Sequence, residues 1–78
     1  MVESVKNSVY ELRNKAGMTQ SDLAALVGVT RQTIIAIEKG NYTPSVLLAL
    51  RFAKVFSSKG GSASGGKKSI SVEDIFYF

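Results

Sequence analysis

The chain has 78 residues, with 10 Lys and Arg against 6 Asp and Glu, and no Cys, His or Trp. That length fits one compact domain, residues 1–78, with a modest core. The missing residue types exclude a disulfide framework, a thiolate metal site, the usual general base and the commonest metal ligand. No apolar run approaches the roughly 18 residues of a membrane-spanning helix. The opening MVESVKNSVYELRNK has no signal-peptide core, so the cytoplasm is the expected location and no membrane partner is expected.

Val5, Val9, Leu12 and Ala16 recur at i, i+4, i+7 and i+11, one face of a first helix over about 3–16 that Gly17 stops. Thr19 reads as the next N-cap, with Asp22 three residues on as a capping-box variant. A short second helix follows over 20–27 and ends at Gly28. Thr30 caps a third, over 31–39, with Ile34 and Ile37 inward and Gly40 at its end. Thr43-Pro44 signals a fourth helix over 44–56, apolar on nearly every side and so buried on more than one.

Residues 57–69 read SSKGGSASGGKKS, a flexible Gly/Ser-rich coil. Such a stretch is foreign to a domain this small and reads as an inserted linker, natural or engineered. Ser71 then caps a last short helix over 72–77. The expected architecture is all-α, five helices with no convincing strand.

Charge is spread unevenly. Residues 1–58 carry a net +3, residues 59–68 add three lysines, and residues 69–78 hold two acids and no base. A total of +4 suits a polyanionic partner, or serves solubility alone.

Only Gly28-Val29-Thr30 joins the second and third helices. Ala24 is small where the two helices must cross closely, and Gly28 tolerates the positive φ of a tight turn. Ile34 and Ile37 anchor the third helix, so its other face points outward. This is the logic of a helix-turn-helix that presents its second helix to the DNA major groove.

The ordered set Gln20-x3-Ala24-x3-Gly28-Val29-x4-Ile34-x2-Ile37, then Glu38-Lys39-Gly40, Pro44 and a Leu-rich helix, resembles the lambda/434 repressor–Cro class of Cro/C1-type (XRE) regulators. The likeness covers residues 5–56 and resumes at 70–76. In the family a very short turn joins the last two helices, so residues 57–69 depart from it. The resemblance implies a lambda-repressor-like fold and sequence-specific binding of double-stranded DNA, with a repressor role. It implies base reading by Arg31, Gln32 and Ile35. Arg suits guanine O6/N7, Gln suits adenine N6/N7, and Ile meets a thymine methyl. Gln20 is implied as a phosphate contact at a helix N-terminus. Thr30, Thr33, Lys39, Asn41 and Tyr42 are further phosphate candidates. Arg13 and Glu38 match a structural ion pair that fixes the recognition helix. Each residue also has a plainer reading: Arg31, Gln32 and Lys39 as solvated side chains, Thr30 as a cap only, Tyr42 as a loop-packing ring, Ile35 as part of another interface.

The family implies symmetric dimers. Leu48, Phe52 and Val55 at i, i+4, i+7, with Phe76, Tyr77 and Phe78, are candidates for that contact, although Phe52 and Phe76 also read as core. The insertion at 57–69 would either block a dimer or let the last helix swap between subunits. No enzyme is expected. Glu73 and Asp74 are adjacent and do not face each other on a helix, and Gly65-Gly66-Lys67-Lys68-Ser69 lacks phosphate-loop spacing. No cofactor, metal or small-molecule substrate is implied. The competing function is a protein-interaction module that uses the apolar fourth and fifth helices.

Overall fold

The computed structural model describes residues 5–59 and 69–78. Among them the order is β1 (Lys6–Asn7), α1 (Val9–Lys15), α2 (Gln20–Val27), α3 (Arg31–Glu38), α4 (Val46–Lys59), α5 (Val72–Ile75) and β2 (Phe76–Tyr77). The architecture is mostly helical, as the sequence pattern predicts.

Local chemistry sets the α2–α3 pair. At the start of α2 the Thr19 hydroxyl accepts from the Asp22 amide at 3.0 Å, and the Asp22 carboxylate accepts from the Thr19 amide at 3.0 Å. These two bonds satisfy two amides that a helix start leaves without partners. The hydrogen bond from the Thr19 backbone, followed by that with its side chain, holds the Asp22 carboxyl below the usual carboxylate range. At the other end Gly28 adopts φ 79°, and the Gly28 and Val29 amides both reach the Ala24 carbonyl at 2.9 Å. A Cβ at Gly28 would be left-handed and would lie 3.2 Å from Nη1 of Arg51, which donates to the Val27 carbonyl. Ala24 is itself buried, so α2 and α3 pack over a small side chain.

Val9, Leu23, Val27, Ile34, Ile37, Phe52, Phe56 and Ile75 fill the core. Phe52 and Phe56 stack at 6.0 Å, and Phe76 meets Phe52 edge-on at 5.8 Å. Two expected dimer-contact residues therefore belong elsewhere: Leu48 and Phe52 are buried in the core, on the inner face of α4. Val55 and Phe76 pack against that core in part, while Tyr77 and Phe78 are exposed. The outer face of α4 carries Val46, Leu47 and Leu50 instead.

Six boundaries differ from expectation, two of them, the ends of α1 and α3, by a single residue. The first helix begins at Val9, because Lys6 and Asn7 pair antiparallel with Tyr77 and Phe76. The last helix stops at Ile75 for the same reason: Phe76 is extended, and an aromatic pair suits a strand. These two short strands correct the expectation of no strand. The fourth helix starts at Val46, with the Ser45 hydroxyl accepting from the Leu48 amide at 3.1 Å, so Pro44 precedes the cap rather than following it. That helix also runs on to Lys59, into the expected linker. There Ser57 Oγ accepts from the Ile70 amide at 2.8 Å and donates to its carbonyl at 3.3 Å, fastening the approach to α5. The rest of the expected coil, residues 60–68, lies outside the described residues.

Gly28→Ala is expected to destabilise the fold by about 1–2 kcal/mol in urea denaturation, the cost of placing a Cβ in a left-handed conformation. Asp22 gives a pH signature. Its folded-state pKa is depressed, so its contribution is complete above the unfolded value, roughly 3.9, and is lost as pH falls through the lower folded value. Asp22→Asn should flatten the dependence of stability on pH in that acid range, measured by denaturation from neutral pH downward.

Candidate nucleic-acid interface

A side chain reads a surface only if the helix that carries it is held still. Ile34 and Ile37 are fully buried and fasten the inner face of α3. Beside them lies an ion pair: Arg13 Nε donates to Glu38 Oε2 at 2.6 Å, with the two side chains only 10% and 6% exposed. Arg13 Nη2 reaches Glu38 Oε1 at 3.4 Å, and Arg13 Nη1 donates to the Met18 carbonyl at 2.9 Å. The Gln20 amide donates to Glu38 Oε1 at 3.0 Å. The guanidinium also sits 5.3 Å from the centre of the Tyr10 ring. One carboxylate at the end of α3 thus gathers donors from α1 and from the first residue of α2. No buried side-chain nitrogen or oxygen among the described residues lacks a hydrogen-bond partner.

Gly40, at φ 81°, closes α3: its amide reaches the Ile37 carbonyl, and the Asn41 amide reaches that of Ala36, both at 2.9 Å. This left-handed turn leads the chain away from the helix axis. Asn7 adds a tie, donating from Nδ2 to the Ile37 carbonyl at 2.8 Å.

The outward face follows from this framework. Arg31 and Gln32 are exposed at the first turn of α3, and Ile35 is half-buried one turn on. Thr30 is engaged as the N-cap, its hydroxyl 3.3 Å from the Thr33 amide and 3.2 Å from the Thr33 hydroxyl. Lys39, Asn41 and Tyr42 are exposed just beyond the other end of α3. An eight-residue helix separates the two groups by about 12 Å. Gln20, expected to face a phosphate, turns toward Glu38, which takes one of its two amide protons.

Glu38 is paired, so the exposed cations of α3 and the turn after it are Arg31 and Lys39, among neutral donors. Such a face makes a few charge-assisted contacts and several neutral ones. Among the described residues no helix is long and apolar enough to cross a membrane, and no acidic cluster is suited to a metal ion.

Sequence reasoning missed the roles of Asn7 and Arg51. Asn7 sits in a stretch whose apolar spacing suggests helix, yet Asn favours caps and turns, and that was the available signal. The reach of Arg51 to the end of α2 spans 24 positions and has no local signature.

An inward-locked, outward-polar second helix after a tight glycine turn defines a DNA-binding helix-turn-helix module. The helix-turn-helix family model matches residues 9–59. The uncharacterized HTH-type transcriptional regulator YgzD of Bacillus subtilis is 58% identical over 73 residues, 94% of this chain and 92% of that protein. Uncharacterized HTH-type transcriptional regulators of Methanocaldococcus jannaschii (45% identical; 95% of this chain, 94% of that one) and Methanothermobacter thermautotrophicus (43%; 92% and 88%) are similar along nearly their whole lengths. The chain belongs to the Cro/C1-type (XRE) helix-turn-helix family of DNA-binding transcriptional regulators.

Arg13→Met leaves the Glu38 carboxylate buried with Gln20 as its remaining side-chain donor, and should destabilise the fold by about 3–5 kcal/mol. Adding Glu38→Leu removes the stranded charge and should restore most of that loss, which urea denaturation of the single and double variants will measure.

Proposed function

We propose that this regulator is a cytoplasmic repressor that binds a two-fold-symmetric DNA site as a homodimer and acts by occupying it. In this reading α3 enters the major groove. Arg31 donates two hydrogen bonds to guanine, Gln32 pairs with adenine, and Ile35 contacts a thymine methyl. Thr33, Lys39, Asn41 and Tyr42 hold phosphates on either side. Gln20 contributes its second amide proton, so one side chain links the Arg13–Glu38 pair to the DNA backbone. Thr30 acts first as the cap that sets where Arg31 begins. The chain works as a single domain, without cofactor, small-molecule substrate or catalysis.

The observation that carries this reading is the exposure of Arg31 and Gln32 at the start of a helix whose other face is fully buried. Side chains so presented are spaced to meet base edges, while the scaffold behind them does not yield. One half-site offers few contacts and two strong cations, so a second subunit is what raises affinity to a useful level.

Selection from a random duplex pool tests the proposal. The parent chain should enrich a palindromic motif with half-sites about one helical turn apart, and Arg31→Ala/Gln32→Ala should abolish the enrichment while remaining folded. A folded parent that enriches nothing would contradict it. Lys39→Ala provides a contrast. It should weaken binding evenly across sequences and reduce the salt dependence by about one counterion per subunit, measured as affinity against salt concentration.

A further inference from the structure

The ribbon of β1 and β2 meets the far end of α3 through one side chain. Phe76 lies opposite Asn7 in the antiparallel register. Opposed residues share a face of the ribbon, and Phe76 packs edge-on against Phe52 in the core. Asn7 is therefore turned inward. Its neighbours hold it there: Lys6 pairs with Tyr77, and the Ser8 amide donates to the Ile75 carbonyl at 2.8 Å. Both ends of the Asn7 side-chain amide are used. Oδ1 accepts from the Val9 amide at 3.1 Å, supplying the cap bond that the Ser8 side chain does not make. Nδ2 donates to the Ile37 carbonyl at 2.8 Å. That same carbonyl accepts from the Gly40 amide at 2.9 Å, a bond that closes the left-handed turn after α3.

We propose that Asn7 is the positioning residue of the turn at 39–42 and that the β1–β2 ribbon supports it. Residues of β2, none of them assigned to DNA, then set how firmly Lys39, Asn41 and Tyr42 hold phosphates. A carbonyl oxygen has two acceptor sites. At Ile37 the turn fills one and Asn7 the other, so this peptide is fixed from outside its own helix. Lys39, Asn41 and Tyr42 are exposed, and burial of their own side chains does not anchor the turn. Register matters as well. A slip of one residue between the strands would turn Asn7 to solvent and release the Ile37 carbonyl. Arg31 and Gln32 lie at the opposite end of α3, so Asn7 bears on phosphate contacts and not on the choice of base. The effect on DNA rests on the proposed function; the link from ribbon to turn does not.

Asn7→Asp isolates the tie, because it keeps the oxygen that caps Val9 and loses the N–H that reaches Ile37. In the free protein, hydrogen exchange at the Gly40 and Asn41 amides should quicken by roughly five- to tenfold, the effect of one lost hydrogen bond. The Gly28 and Val29 amides close the glycine turn before α3 and should keep their rates. Tyr77→Pro removes a backbone donor from β2 opposite Lys6 and should quicken the same two amides. On a random-sequence duplex at low salt, Asn7→Asp should weaken binding severalfold. Lys6→Gln, which lowers the net charge by the same amount, should weaken it less. Lys39→Ala should cost less affinity in Asn7→Asp than in the parent, since a displaced turn has already lost that contact. Unchanged exchange at Gly40 and Asn41, or equal quickening at Gly28 and Val29, would overturn the tie. An equal loss in Lys6→Gln, or additive effects of Asn7→Asp and Lys39→Ala, would overturn its bearing on DNA. A folded parent that binds no duplex would overturn the proposed function, and the exchange rates would still decide the tie.

Discussion

The Glu38 carboxylate is the point through which three helices hold one another. It ends α3, receives Arg13 from α1, and receives Gln20 from the first turn of α2. Arg13 also donates to Met18 in the link between α1 and α2. A buried ion pair is not in itself a source of stability, because removing two charges from water offsets much of their attraction. Its effect here is directional. An apolar replacement would fill the same space in several ways, whereas four hydrogen bonds among fixed donors and acceptors are satisfied by one arrangement of α1, α2 and α3. The orientation of the recognition helix follows from that arrangement.

The remaining features refine it. The capping box at Thr19 and Asp22 fixes where α2 starts, and Gly28 and Thr30 fix the turn and the first residue of α3. Asn7 and Gly40 settle its far end. Each device acts on the backbone or on buried atoms, which leaves the outward side chains free for DNA. A site built on rigid elements in this way loses little affinity to the ordering of its own parts. The same economy leaves one copy of the chain with few exposed cations on and just after α3, Arg31 and Lys39, with which to hold DNA.

The α2–α3 unit was legible in the sequence because its signals are local. Thr19, Asp22, Gly28, Thr30 and Gly40 each act within five residues, and the helix expected over 20–27 spans Gln20–Val27. The termini were illegible because their structure is mutual. Lys6–Asn7 is extended only because Phe76–Tyr77 lies beside it, and two-residue strands are too short to show a period of two. The start of α4 was ambiguous because Thr43 and Ser45 are both capping residues on either side of Pro44. Its inner face was ambiguous because a helix apolar all round does not declare which stripe is buried. Leu48 and Phe52 turned inward, and Leu47 and Leu50 outward. Arg13 and Glu38 stand 25 positions apart, and only the family resemblance pairs them. The rotation of Gln20 toward Glu38 is a choice among side-chain conformers that composition and spacing do not encode.

In the proposed reading this locked framework delivers Arg31 to guanine in the major groove. Dimethyl sulfate methylates guanine N7 there, the atom that a bidentate Arg occupies. A methylation-protection footprint on the selected duplex should show one protected guanine in each half-site, and Arg31→Ala, bound at low salt to equal occupancy, should lose that protection. Protection that persists in Arg31→Ala, or a fully occupied duplex with every guanine N7 open to methylation, would contradict the account.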